Sequence, residues 1–580
     1  MKRLLTGNEA IARGAYEAGV TVATAYPGTP STEILENIAT YRDAIYAEWS
    51  TNEKVAFEVA LGASMAGARA LVAMKHVGVN VAADPLMTAS YSGVNGGLVL
   101  VSADDPGMHS SQNEQDNRLF AKFAKIPLFE PSDSQECKDF VAAALEISER
   151  FDTPVMLRTT TRISHSKSLV VEGERRSVPL RDYTKDIAKY VMTPAGARGR
   201  HVIVEQRRAK LAEYAETTPL NRIENPGREV GVIVSGITYQ YARAALGDEV
   251  SYLKLGFTHP LPERLIRQFA AGVKRLYVIE ELEPYMEEQI RAWGIHCRGK
   301  DVFPRIGELS AEIIAEVVRE RRRTAAAPPD LPVRPPVLCP GCPHRGVFFV
   351  LNKLKLTVTG DIGCYTLGSA PPLAAMDSTI CMGASIGMAH GFQKATHGGR
   401  PGKVVAVIGD STFFHSGMTG LINVAYNRAN IITLILDNRI TAMTGHQDNP
   451  GTGKTLLGEV AEEANLEAIV RALGIKHIAV VDPYDLGEVE RTLRAHSELS
   501  EPSVIIARRA CALIAKTSGA RYTILPEKCK QCRACLRLGC PAIEVRPDGT
   551  IAINRDTCYG CGICADLCKF GALVKEGEGQ

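Results

Sequence analysis

Val404-Val405-Ala406-Val407-Ile408-Gly409-Asp410-Ser411 is followed, after a segment with a small-residue face over 417–427, by Ile431-Ile432-Thr433-Leu434-Ile435-Leu436-Asp437-Asn438. Both apolar runs lack the alternation of a half-exposed strand and read as strands buried on both faces of a parallel sheet. A helix between them makes the crossover that parallel pairing needs. The carboxyl ends of the two strands then lie side by side, at the edge where open α/β sheets bind ligands. That brings Asp410 and Asn438 together. One carboxylate and one amide oxygen suit Mg²⁺, which takes few protein ligands and completes its shell with phosphate oxygens and water. Glycine at 409 is expected to let backbone approach a phosphate. The plainer alternative is an ordinary Gly-Asp turn.

The same α/β pattern extends in both directions. Toward the N-terminus, Ala70-Leu71-Val72-Ala73-Met74 and Gly97-Leu98-Val99-Leu100-Val101 are further buried strands, and Val230-Gly231-Val232-Ile233-Val234 opens another unit. Residues 321–338, with the run Arg321-Arg322-Arg323, three alanines and several prolines, read as a linker. The expected division is 1–195, 196–320, linker 321–338, 339–518 and 519–580: three parallel-sheet α/β domains and a small cysteine-rich domain. Charged residues are 23% of the chain and the net charge is +2, which gives no reason to invoke nucleic acid or an anionic membrane. No apolar run approaches the ~20 residues of a membrane span. Leu4-Leu5 passes directly into Thr6-Gly7-Asn8-Glu9 without an apolar signal core, so a cytoplasmic location is expected.

Of the 15 cysteines, eight fall between Cys529 and Cys568. Clustering of this kind in a large chain points to metal rather than to a disulfide scaffold. Cys529, Cys532 and Cys535 precede Cys540-Pro541; Cys558, Cys561 and Cys564 precede Cys568. This is the spacing of two-cluster ferredoxins, in which each trailing cysteine ligates the other cluster. One 4Fe-4S cluster is therefore assigned to Cys529, Cys532, Cys535 and Cys568, the other to Cys558, Cys561, Cys564 and Cys540. Zinc is the alternative, since C-x2-C pairs also bind it. The first run departs from the pattern in its last gap, and the second ends in Cys568-Lys569 where proline is usual. Gly451-Thr452-Gly453-Lys454-Thr455 looks like a phosphate loop, but its required first glycine falls at Asp448.

Gly409-Asp410-Ser411 and Asp437-Asn438 resemble the thiamine-diphosphate motif, written GDG and NN, with Ser411 and Asp437 as departures. The resemblance implies a further metal ligand in the carbonyl of Ile440, with Gly383 and His344 also against the cofactor. It implies a glutamate from a different domain at the aminopyrimidine ring. Asn52-Glu53, ahead of Ala56, Ala60, Gly62 and Ala63, resembles the start of the corresponding helix, which gives Glu53 that role; Glu58 and Glu48 compete. The alternative is a solvated first-turn glutamate favoured by the helix dipole. Tyr26-Pro27-Gly28-Thr29-Pro30-Ser31 resembles the substrate loop of the 2-oxoacid:ferredoxin oxidoreductases, in which the threonine matched by Thr29 contacts the oxoacid. His76, after Lys75 at a strand end, is either catalytic or an ordinary structural histidine. Cys339-Pro340-Gly341-Cys342-Pro343-His344, Cys364 and Cys511 match the ligands of a third cluster near thiamine in that family; the alternative is single buried cysteines acting as small hydrophobes. Cys381 reads as packing beside the cofactor, and Cys137 and Cys297 show no ligand spacing.

The implied order is pyrimidine-binding domain (1–195), transketolase C-terminal-like domain (196–320), diphosphate-binding domain (339–518) and ferredoxin tail (519–580). With Cys339 to Arg345 and Thr444-Gly445-His446-Gln447, it resembles the alpha subunits of the indolepyruvate type. That resemblance implies oxidative decarboxylation of an aryl 2-oxoacid with coenzyme A to the acyl-CoA and CO2, anaerobically, with electrons passing through 4Fe-4S clusters to ferredoxin. It also implies a separate small beta subunit in an alpha2beta2 heterotetramer. The alternatives are another 2-oxoacid, a non-oxidative thiamine decarboxylase with a structural cluster tail, or an electron-transfer module on an inactive scaffold.

Overall fold

The computed structural model describes residues 1–320, 331–332, 334–396, 403–515 and 520–577, so most of the expected linker over 321–338 lies outside the described residues. The chain forms two compact units, residues 1–328 and 329–580.

The first unit contains a seven-stranded sheet in the order Tyr46–Trp49, Val22–Ala25, Ala70–Lys75, Leu98–Asp104, Val155–Thr160, Leu128–Phe129 and Phe257–His259. All its pairs are parallel except the last. Every residue of Ala70–Lys75 and Leu98–Asp104 is buried, as helices on both faces demand. A second sheet orders Arg275–Ile279, Val230–Ser235, Ser251–Leu255 and Asn221–Glu224, the last antiparallel. The helix Pro194–Ala215 crosses the position 195/196. Arg200 donates to the Tyr91 carbonyl at 2.6 Å and to Asp152 at 2.8 Å, and Arg207 to the Asp152 carbonyl at 2.6 Å. The helix therefore packs with the elements of the first sheet, and the second sheet begins only at Asn221.

The second unit is built on a wholly parallel six-stranded sheet: Ser378–Thr379, Thr357–Gly360, Val404–Gly409, Ile432–Asp437, Ser503–Arg508 and His477–Val481. Apolar cores lie on both faces, with Val405, Val407 and Leu434 in one and Ala406, Ile408 and Ile435 in the other. The crossover after Gly409 is a short helix, Asp410–Thr412, a π-helical turn, Phe413–Gly417, and the helix Met418–Tyr426. The cysteine-rich tail adds two antiparallel ribbons, Tyr522–Ile524 with Leu573–Lys575 and Ile543–Val545 with Ile551–Ile553. No helix among the described residues is long and apolar enough to cross a membrane.

Candidate cofactor and cluster sites

In the central register of the second unit Gly409 pairs with Leu436, which sets Asp410 beside Asp437-Asn438. Asp410 is 3% exposed; burial, then the neighbouring Asp437, push its pKa up to about 7. The Asn438 side-chain oxygen lies 3.2 Å from Asp410 Oδ1 and 2.8 Å from the Ile440 carbonyl, and accepts only a long bond from the Ile440 N–H at 3.3 Å. Amide orientation follows from the surrounding network, and turning this amide over would convert both contacts into hydrogen bonds. A cation among the three oxygens would make that rotation unnecessary and would favour the ionised form of Asp410. The donor set fits Mg²⁺. No three His, Cys, Asp or Glu side chains among the described residues gather around one point, so this oxygen set is distinguished by its amide and carbonyl.

Surrounding residues hold the set in place. A Cβ at Gly409 would stand 2.7 Å from Tyr365 Cε1, so glycine there makes room for that ring. Tyr365 donates to the Ile362 carbonyl at 2.8 Å. Buried Asp361 accepts from the N–H groups of Ile362, Gly383 and Ser385 at 2.9–3.0 Å and so ties the start of the helix Ala384–Ala395 to a strand end. Gly383 has φ +86°, and a Cβ there would meet Ser416 Cβ at 2.5 Å. Ser411 Oγ accepts from Thr441 at 2.8 Å. His344 is buried, which pulls its pKa down to about 4 and keeps it neutral, and its Nε2 lies 3.4 Å from Asn438 Nδ2. Asp361 and Tyr365 were missed in the sequence; Asp361 ends a strand as Asp410 does, and that was the available signal.

A sulfur set lies beside the oxygen set. The Cys511 N–H donates to the Asn438 carbonyl at 3.0 Å. Burial raises Cys342 to about 12 and Cys364 to about 11. Neighbouring thiols contribute in the same direction: Cys364 and Cys339 act on Cys342, Cys511 and Cys339 on Cys364, and Cys339 on Cys511. Cys339 thus acts electrostatically on each of the other three. Cys381 is exposed rather than packed, and Cys137 is fully buried.

The tail forms two cavities. One is lined by Cys529, Cys532, Cys535 and Cys568, the other by Cys540, Cys558, Cys561 and Cys564. The grouping exchanges the trailing cysteine of each run, as the spacing led one to expect. Burial lifts Cys564, and Cys561, Cys540 and Cys558 add to it.

In the first unit the three candidate glutamates differ in environment. Glu58 is exposed and ion-paired with Lys54. Glu48 is half-buried and accepts from Tyr46 and Ser50 at 2.7 Å. Glu53 is 6% exposed, in the first turn of the helix Glu53–Met65, whose cap is the Asn52 side chain accepting from Val55 N at 2.9 Å. A Cβ at Gly78 would stand 2.7 Å from Glu53 Oε1, so glycine there makes room for the carboxyl. Thr29 is half-buried, and its carbonyl accepts weakly from Ser110 Oγ at 3.4 Å. Lys75, beside Gly28, donates to the Ser110 carbonyl at 2.6 Å, and burial lowers its pKa to about 8. His76 is fully buried with neither ring nitrogen hydrogen-bonded; burial lowers its pKa against the pull of Asp104.

Residues 13–214 match the family described as pyruvate flavodoxin/ferredoxin oxidoreductase, thiamine diP-bdg, and residues 361–507 match the thiamine pyrophosphate enzyme, C-terminal TPP binding domain. The chain is 44% identical to the indolepyruvate oxidoreductase subunit IorA of Pyrococcus horikoshii, over 100% of this chain and 98% of that one. It is 41% identical to subunit IorA of Methanothermobacter thermautotrophicus, again over 100% and 98%. The 2-oxoglutarate:ferredoxin oxidoreductase from Magnetococcus marinus aligns with 55% of this chain and 65% of that chain, at 19% identity and a TM-score of 0.47. Whole-length identity at this level, with both thiamine-diphosphate-binding halves present, means that the chain belongs to the indolepyruvate oxidoreductase subunit IorA family, thiamine-diphosphate-dependent 2-oxoacid:ferredoxin oxidoreductases.

Proposed function

We propose that this chain, with a separate small beta subunit in an alpha2beta2 assembly, converts an aryl 2-oxoacid of the indolepyruvate type and coenzyme A to the acyl-CoA and CO2, reducing two ferredoxins by one electron each. The presence of two four-cysteine cavities in the same unit as the oxygen set of Asp410, Asn438 and Ile440 carries this reading. Thiamine diphosphate, when bound, supplies the carbanion chemistry. Asp410, Asn438 and the Ile440 carbonyl would hold Mg²⁺ against its diphosphate, with Ser411, Gly409, Gly383 and His344 lining that site. Glu53 would be the carboxylate set against the aminopyrimidine ring, able to take up or return a proton there. Thr29 contacts the oxoacid, and His76 lines the same pocket. The tail cysteines would hold two 4Fe-4S clusters, and Cys339, Cys342, Cys364 and Cys511 a third beside the oxygen set; the clusters would supply one-electron transfer toward ferredoxin.

The test is anaerobic turnover of the holoprotein with its beta subunit. A viologen dye should be reduced only when oxoacid and coenzyme A are both supplied. Decarboxylation without dye reduction overturns the redox reading. Indolepyruvate and phenylpyruvate should outrun pyruvate; the reverse order removes the aryl assignment.

A further inference from the structure

Arg345 is 3% exposed, and its three hydrogen-bond acceptors are all backbone carbonyls. One Nη donates to Leu538 at 2.7 Å, in the tail; the other donates to Leu338 at 2.5 Å and Cys339 at 3.1 Å. Nε has no hydrogen-bond partner. Carbonyls carry no net charge, so among the described residues this buried guanidinium still lacks a counter-ion, and burying an unpaired charge is costly. Arg345 also lines the cavity of Cys540, Cys558, Cys561 and Cys564. Four thiolates and a cubane carry net negative charge there, which increases by one on reduction. The lining suits that group: four cysteines, Cys540, Cys558, Cys561 and Cys564, amid apolar Leu538, Ile543 and Ile563.

We propose that Arg345 is the counter-charge of the Cys540/Cys558/Cys561/Cys564 cluster, its Nε–H free to donate toward the cluster, and that it holds this cluster's reduction potential up. The inference rests on the tail clusters proposed above. A fixed cation stabilises the reduced, more negative state, and hydrogen bonds to the sulfurs act in the same direction. At the other tail cavity the lining cations, Lys530 and Arg533, are exposed, and water screens them. Arg345 is thus a positioning and tuning residue of the electron path. Its fork also fastens the tail, through Leu538, to the loop that opens the diphosphate-binding domain.

The experiment is a potentiometric titration of the full-length holoprotein followed by electron paramagnetic resonance, with iron counted in parallel. Arg345→Gln and Arg345→Lys both lose the guanidinium fork, but only the first loses the charge. Arg345→Gln should lower the reduced-to-oxidised ratio of one cluster about tenfold at a fixed potential, a shift of ~59 mV for a one-electron centre. Arg345→Lys should stay close to wild type, and the Cys529/Cys532/Cys535/Cys568 cluster should not move in either. Equal potentials in the two variants, with full iron, overturn the proposal. Should either variant lose iron, wild-type protein labelled with ¹⁵N in its arginine side chains decides: nitrogen modulation at a reduced cluster supports the proposal, and none overturns it. Wild-type protein without cluster iron or signals would instead remove the underlying reading of the tail.

Discussion

At the scale of the residue, burial separates groups that the sequence leaves equivalent. Glu48, Glu53 and Glu58 all stand near one helix start, but only Glu53 is enclosed and has a glycine, Gly78, making room for its carboxyl. Glu53→Gln should therefore lower oxoacid-dependent dye reduction by a factor of about 10²–10⁴, the usual worth of a positioned proton-transfer group, with cluster spectra unchanged. Glu58→Gln, on the exposed face, should retain wild-type turnover; loss in the second variant and not the first would transfer the role. Glu281 gives a pH effect on stability. Burial raises its pKa from the ordinary 4.5 to about 7, against the Leu309 N–H and Arg158. The fold thus favours the protonated acid. Its contribution is complete below pH 4.5 and disappears as the pH rises through about 7. Melting of Glu281→Gln should show a smaller fall in Tm across that window than wild type; parallel profiles would show that Glu281 does not carry the effect.

At the scale of the element, most of the architecture was legible because local rules and global packing agree. The two runs quoted first are parallel neighbours, since fully apolar strands require cover on both faces and a crossover supplies it. Asn52 caps its helix, as an asparagine before Glu53 suggests. The π-helical turn Phe413–Gly417 was not legible: an extra residue per turn leaves no distinct apolar period in so short a segment. Gly383 shows what an element start requires. Its φ of +86° and the 2.5 Å approach of Ser416 to any Cβ exclude other side chains. Gly383→Ala should cost on the order of 1–3 kcal/mol of strain and weaken thiamine diphosphate binding measured by calorimetry. Unchanged stability and affinity would show that the turn can relax.

At the scale of the whole molecule, the cysteine sets can be counted. Three 4Fe-4S clusters correspond to ~12 iron per chain and two to ~8. Cys511→Ser should remove iron from the set beside Asn438 while leaving the tail's signals intact; full iron in this variant would reduce that set to ordinary buried thiols. The sequence alone determined the α/β class, the two tail groupings and the pairing of Asp410 with Asn438, because each rests on short-range spacing or on strand ends that a crossover must bring together. Only the tertiary structure decided that Tyr365 fills the space at Gly409, that Asp361 anchors Gly383, that Cys511 hangs on the Asn438 carbonyl and that Arg345 lies buried without a carboxylate at the tail cavity. Apolar periodicity reports that a residue is buried but not against what, and these contacts join segments whose separation in the chain carries no local signal.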